Sequence, residues 1–260
     1  MVNKGRLNED QIIHVLNADR FCDLPKNLQN LVVDLFGVVD PYKPVSCEYA
    51  IEYTKPDFVI SHSDRKRYVS MKNGSSILMH GEQISTFIPF LRSLGISEKT
   101  ITTILLHHYG DDTTDGSGKE RMPINELKYH LYKQIKEANE ELNSDRAVLI
   151  AFAERILFQG VRDDVPKADA LYHGDYEFGV VATRKQILKH LSRGNWDFFD
   201  NLHIGPFMIY PHARYIGTEI HSEKSRNRVD VSWPKVISDI EYISKRYDNY
   251  TPIKHRTYEE

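Results

Sequence analysis

The sequence predicts an α/β or α+β layer fold, a central mixed sheet flanked by helices. Two observations carry this: apolar residues recur at helical spacing in several segments, and short β-rich runs separated by turn chemistry alternate with those segments. The order is helix, three strands, helix, a helical block, then mixed strands and helices. With 260 residues, 40% of them hydrophobic, the chain can bury a sizeable core. It reads as one domain: a core over about 24–95, a helical insertion over about 97–160, and C-terminal strands and helices over about 168–250.

The elements follow from local chemistry. Glu9 to Leu16 reads as a first helix. Leu24 to Val38 reads as a second, with Leu28, Leu31, Val32, Leu35 and Phe36 forming its core-facing stripe and Gly37 near its end. Val45 to Tyr53, Asp57 to Ser61 and Arg67 to Lys72 read as strands, with Ser61-His62-Ser63-Asp64 as the turn between the last two. After Asn73-Gly74-Ser75-Ser76, a helix is expected from about Gly81 to Leu94, stopping at Gly95. Ser97 caps a further helix to about His107. Helices follow over Pro123 to Leu142 and Ser144 to Phe158. Beyond Ala168, Ala170 to His173 and Phe178 to Ala182 read as strands, and Thr183 caps a helix to Arg193. Ile204 to Tyr210 and Arg214 to Ile220 read as a hairpin, and Trp233 to Tyr247 as a closing helix.

Composition excludes several classes. The net charge of -3 argues against a non-specific nucleic-acid coat, which needs broad phosphate neutralisation, though charge can still gather in one cleft. No apolar run approaches the roughly 18 residues that span a bilayer, and Met1 to Arg6 leads into polar sequence, so a cytoplasmic location is expected. Cys22 and Cys47 have no metal-binding spacing and read as reduced thiols. No Walker loop, dinucleotide fingerprint, nucleophile elbow or zinc spacing is present.

The chemistry concentrates between Lys55 and Gln83. Asp57 begins one apolar strand, Pro56-Asp57-Phe58-Val59-Ile60, and Lys72 ends the next, Ser70-Met71-Lys72. Alternation puts Ser70 and Lys72 on one face, and a hairpin brings Asp57 close to both. His80-Gly81-Glu82-Gln83 follows, with Glu82 expected in the first turn of the next helix. Carboxylates bind hard divalent cations, and a lysine can orient or help activate water near a phosphate.

This arrangement resembles the PD-(D/E)xK nuclease superfamily over about Leu24 to Leu94. The resemblance implies a restriction-endonuclease-like core in which Asp57 and a second acid bind metal and Lys72 acts on the water. The family's acid two residues before the lysine is missing, since Ser70 stands there. Glu82 is the expected replacement, so Asp57, Lys72 and Glu82 are the candidate catalytic residues, with Asp57 and Glu82 the candidate metal ligands. Asp34 or Glu52, with Glu48 beside them, resemble the extra acid many members carry upstream, and Gln83 resembles a polar lining residue. The resemblance implies magnesium, with manganese a substitute, a double-stranded DNA substrate, a homodimer, and a role in restriction or defence. The rival expectation is an inactive nuclease-fold module that binds nucleic acid or protein.

Other segments carry weaker signals. Asp111, Thr113, Asp115 and Gly116 have EF-hand-like spacing, but Met122 holds the place of the closing glutamate. The loop Gly110 to Gly118 is therefore a solvent loop or, with Lys119 and Arg121, a contact to nucleic-acid backbone. Asn73, Arg184 and Arg214 complete the expected nucleic-acid contacts. His107 and His108 diverge on a helix and read as a helix end. The rings of Tyr172, His173, Tyr176, Phe178, Tyr210, His212 and Tyr215, interleaved with Arg214, either fill a sheet face or stack on bases.

Overall fold

The computed structural model describes residues 4–52, 54–73, 76–118, 121–196, 201–212 and 225–246. Its first part is α1 (Lys4–Leu16) and α2 (Lys26–Phe36), followed by β1 (Val45–Tyr49), β2 (Phe58–His62) and β3 (Arg65–Lys72). These three strands form an antiparallel meander in which Phe58 faces Val69 and Val45 faces His62. Alternation does the sorting. Phe58, Ile60, Val69 and Met71 point to one side, where Leu28, Leu31, Val32 and Leu35 of α2 and Ile12 and Leu16 of α1 meet them. Burying each such side chain contributes roughly 1.5–3 kcal/mol.

The sheet is completed from far along the chain. β5 (Ala170–Gly174) runs parallel to β3, with Lys72 opposite His173, and β6 (Gly179–Thr183) runs antiparallel to β5. The five-stranded order is therefore β1-β2-β3-β5-β6.

A second sheet departs from the expectation of a single one. β4 (Leu78–Gln83) pairs with β9 (Arg228–Ser232), which pairs with β8 (Phe207–Pro211) and then β7 (His203–Ile204). His80-Gly81-Glu82-Gln83, expected to open a helix, is strand. The helix begins one residue later as α3 (Ile84–Ser93), with Gln83 extended at its N-cap. No Ser, Thr, Asp or Asn stands there to start the helix earlier, and β9 supplies the ladder partner for the preceding residues. The partner expected for the Ile204 strand, Arg214 to Ile220, lies outside the described residues.

The helical block packs on this second sheet. α4 (Glu98–Tyr109) starts at Ser97, whose side chain accepts from Thr100 N, and ends at Gly110 with φ 63°. The single helix expected over Pro123 to Leu142 is two, α5 (Ile124–His130) and α6 (Tyr132–Leu142), because Leu131 leaves helical geometry with ψ 11°. α7 (Arg146–Ala153), capped by Asp145, continues into a wider π-helical turn over Glu154–Gln159. α8 (Arg184–Leu191) opens with a capping box between Thr183 and Gln186, and α9 (Val236–Arg246) closes the described chain. One apolar cluster joins α3, α4, α6, α7 and the inner face of the second sheet around Phe87, Phe152, Phe207 and Trp233. Among the described residues no helix is long and apolar enough to cross a membrane.

Candidate active site

Three chain segments meet at one edge of the first sheet. β2 begins there, β3 ends there, and the N-terminal half of α1 crosses the same edge. Asn8 Nδ2 donates to Gly174 O at the end of β5 at 3.0 Å, and the Arg6 guanidinium stacks 3.6 Å over the Tyr49 ring at the end of β1. Glu9 therefore sits among the strand ends that carry Asp57 and Lys72.

Asp57 is fixed by its neighbour strand. Its Oδ2 accepts from Met71 N at 2.5 Å and from Ser70 Oγ at 3.3 Å, while Oδ1 accepts no hydrogen bond among the described residues. One oxygen orients the carboxylate and the other is left for a ligand. Ser70, fully buried where the family's second acid is expected, thus supports Asp57 by a hydrogen bond. The Lys72 backbone belongs to the β3–β5 ladder, while its ammonium makes no hydrogen bond or salt bridge among the described residues.

Glu9 completes the cluster. Its pKa is raised, first by burial and then by the Asp57 charge, with Arg6 and Lys72 pulling the other way. The charges of Asp57 and Lys72 thus both act on Glu9 at this edge. Lys55 lies beside them: its ammonium donates to Met79 O at 2.5 Å, and burial, reinforced by Lys72 and opposed by Asp57, pushes its pKa well below the lysine range. Among the described residues no group of three or more His, Cys, Asp or Glu is arranged to hold a metal.

Glu82 has a different setting. It lies in β4 of the second sheet, with its side chain 2% exposed, and Arg155 grips it through Nε at 3.1 Å and Nη2 at 2.7 Å. Thr86 Oγ1 donates at 2.8 Å, and His80 Nε2 lies 3.3 Å away. Burial pushes the carboxyl up, but the hydrogen bonds and charge of its partners outweigh it and draw it down to about 2. Burial lowers His80's own pKa, so Arg155 carries the positive charge at neutral pH. A carboxylate so engaged ties β4 to the turn after α7 and is a poor metal ligand. Gln83 is exposed at the α3 N-cap.

The other expected acids are elsewhere. Asn27, near the start of α2, donates to Tyr172 Oη at 2.9 Å and Tyr176 O at 3.1 Å, beside the end of β5. Leu35 O and Phe36 O, at the other end of α2, receive Arg67 and Arg65 from the opposite edge of the sheet. Asp34 belongs to that far end, about 10 Å along the helix from Asn27. Glu52 is exposed in the turn after β1, which ends at Tyr49, so it is not a strand residue. Glu48 pairs with Lys66 on the sheet surface at 3.6 Å.

No family model matches the chain, and no curated protein shows significant similarity to it. The case for function therefore rests on the residues themselves.

The expected nucleic-acid contacts divide. Asn73 stands half-buried just past Lys72, at the same sheet edge. Arg121 caps α4 by donating to Tyr109 O at 2.8 Å and His108 O at 3.1 Å, and Arg184 grips Glu154 Oε1 at 2.6 Å, so both are engaged within the fold. Lys119 and Arg214 lie outside the described residues. In the Gly110 to Gly118 loop, Asp111 is occupied by Arg226 and Thr113, and Asp115 accepts from Ser117 N, so these acids serve the loop itself.

Sequence reasoning missed Glu9 and Lys55, and placed His173, which stands opposite Lys72 on β5, only among rings that fill a sheet face or stack on bases. A signal for Glu9 existed. It stands three residues before Ile12 and seven before Leu16, both fully buried, so helical spacing places it on the flank facing the sheet.

Proposed function

We propose that this chain is a metal-dependent nuclease that hydrolyses phosphodiester bonds in DNA, with its site at the sheet edge formed by Glu9, Asp57 and Lys72. The observation that carries this reading is geometric: Asp57 is tied by hydrogen bonds to Ser70 and Met71, next to Lys72 at the end of β3, and the crossing helix α1 brings Glu9 to the same edge, where the charges of Asp57 and Lys72 act on it. The antiparallel β1-β2-β3 meander, with an acid at the start of one strand and a lysine at the end of the next, supports a restriction-endonuclease-like core. Glu9, in place of Asp34 or Glu52, takes the part of the upstream acid.

The residues fit magnesium or manganese. Such ions commonly bind through one or two carboxylates, with water and phosphate oxygens filling the rest of the shell. Asp57 offers an Oδ1 without a hydrogen bond among the described residues, and Glu9, raised first by burial and then by the Asp57 charge, gains from a divalent cation placed between the two carboxylates. When bound, the metal would polarise the scissile phosphate and lower the pKa of a bound water. The chain's own contribution is orientation. Ser70 and the Met71 amide hold Asp57 in one rotamer, and Lys72 presents ammonium protons to the attacking water and the phosphate oxygens. Hydrolysis forms a bond from the water oxygen to phosphorus and breaks one P–O ester bond, and the leaving oxygen takes up a proton. A homodimer with one site per strand agrees with a duplex substrate.

The test is incubation of purified protein with duplex DNA, single-stranded DNA and RNA in magnesium or manganese. Cleavage that stops with chelator and is lost in Asp57→Asn supports the reading. Intact substrates with retained binding would instead favour an inactive binding module. That second reading draws on Ser70, whose hydroxyl stands where a metal-binding acid is expected.

A further inference from the structure

The geometry points to His173 as the positioning residue that holds Lys72 in place, an inference that rests on the proposed nuclease site. His173 and Lys72 are register partners on parallel neighbours β5 and β3, so they share a face of the sheet at its functional edge. Adjacent strands run about 4.8 Å apart, within reach of a lysine's four-carbon stem.

The histidine is 6% exposed, and its Nε2 is buried without a hydrogen-bond partner among the described residues. In the neutral ring with its proton on Nδ1, Nε2 carries a bare lone pair. Burial is the largest influence on this ring and keeps it neutral, and the nearby Lys72 charge adds to that. A buried acceptor without a donor is costly and rare.

Beside this acceptor stands Lys72, three donors with no hydrogen bond of their own. A change of rotamer that brings Lys72 Nζ to His173 Nε2 satisfies both groups. It fixes the ammonium over the Asp57 carboxylate and leaves two N–H groups for the water and the phosphate. The closest functional relation of His173 is thus to the lysine rather than to substrate. Lys55 does not compete for this role, because its ammonium is already committed to Met79 O.

Two variants and two readouts test this. His173→Gln keeps a side-chain acceptor, and His173→Leu removes it at similar volume. Nitrogen-15 NMR of lysine side chains reports Lys72 directly: a slowly exchanging ammonium signal is expected in the wild type and His173→Gln and is lost in His173→Leu. In cleavage assays His173→Leu should lower kcat by about 10- to 100-fold with KM unchanged, and His173→Gln should recover most of it. Equal ammonium exchange in all three proteins overturns the inference, as does equal loss of kcat in both variants. If the wild type cleaves nothing, the nuclease reading fails, while the NMR comparison still decides whether His173 holds Lys72.

Discussion

Glu82→Gln isolates the buried carboxylate that ties β4 to the turn after α7. The wild-type carboxyl is drawn from 4.5 down to about 2, and at 2% exposure little solvent screening weakens its bond to Arg155. Each pKa unit is worth about 1.36 kcal/mol, so the gap corresponds to about 3 kcal/mol of stability. The sign follows from the folded value lying below the unfolded one. The stabilisation is complete above about pH 5 and is lost as the pH falls toward 2, with about 2 kcal/mol gone by pH 3. The assay is urea unfolding of wild type and Glu82→Gln from neutral pH to about pH 3. The wild type should be more stable at neutral pH, and the difference should shrink by about 2 kcal/mol at the acid end. Parallel stability curves would refute this account of Glu82. The same variant should retain most of its cleavage activity at neutral pH, because Glu82 is a structural acid here.

Three further outcomes are expected. Asp57→Asn keeps an acceptor for Met71 N and Ser70 Oγ, so urea unfolding should register a loss of only about 1 kcal/mol while cleavage disappears. Ser70→Asp restores an acid two residues before Lys72 but buries it against Asp57. Its melting temperature should fall without metal and recover as manganese is added, and a metal-insensitive melting temperature would contradict the assignment of this edge as the cation site. Arg226→Met leaves the Asp111 side chain, 0% exposed, without its charged partner. Chemical unfolding should show a loss of about 3–5 kcal/mol, and a neutral result would mean the Gly110 to Gly118 loop is not pinned by that pair.

How much of this was legible in the sequence depended on distance along the chain. The approach of Asp57 to Ser70 follows from hairpin alternation and a short turn, both local properties, and so does the face that Lys72 shares with Ser70. The stripe on α2 and the caps at Ser97 and Thr183 were readable for the same reason. Glu9 reaches the site only because α1 packs across the sheet edge, which is set by Ile12 and Leu16 finding the α2 and β2 side chains. His173 arrives by a parallel pairing across the whole helical block, and no spacing rule announces it. The second sheet was hidden because β4 completes its ladder with β9 near the other end of the chain. Its polar residues, read alone, looked like the start of a helix. Glu82 was misplaced by that same error: strand geometry points it inward to Arg155.

The most direct test of the central claim compares wild type with Lys72→Ala on duplex DNA in magnesium and manganese, with urea unfolding as the control for folding. The account predicts metal-dependent cleavage by the wild type and a loss of about a hundredfold or more in Lys72→Ala, at an unchanged unfolding midpoint. Cleavage by Lys72→Ala at the wild-type rate would contradict it, as would a wild type that leaves every nucleic acid intact in both metals.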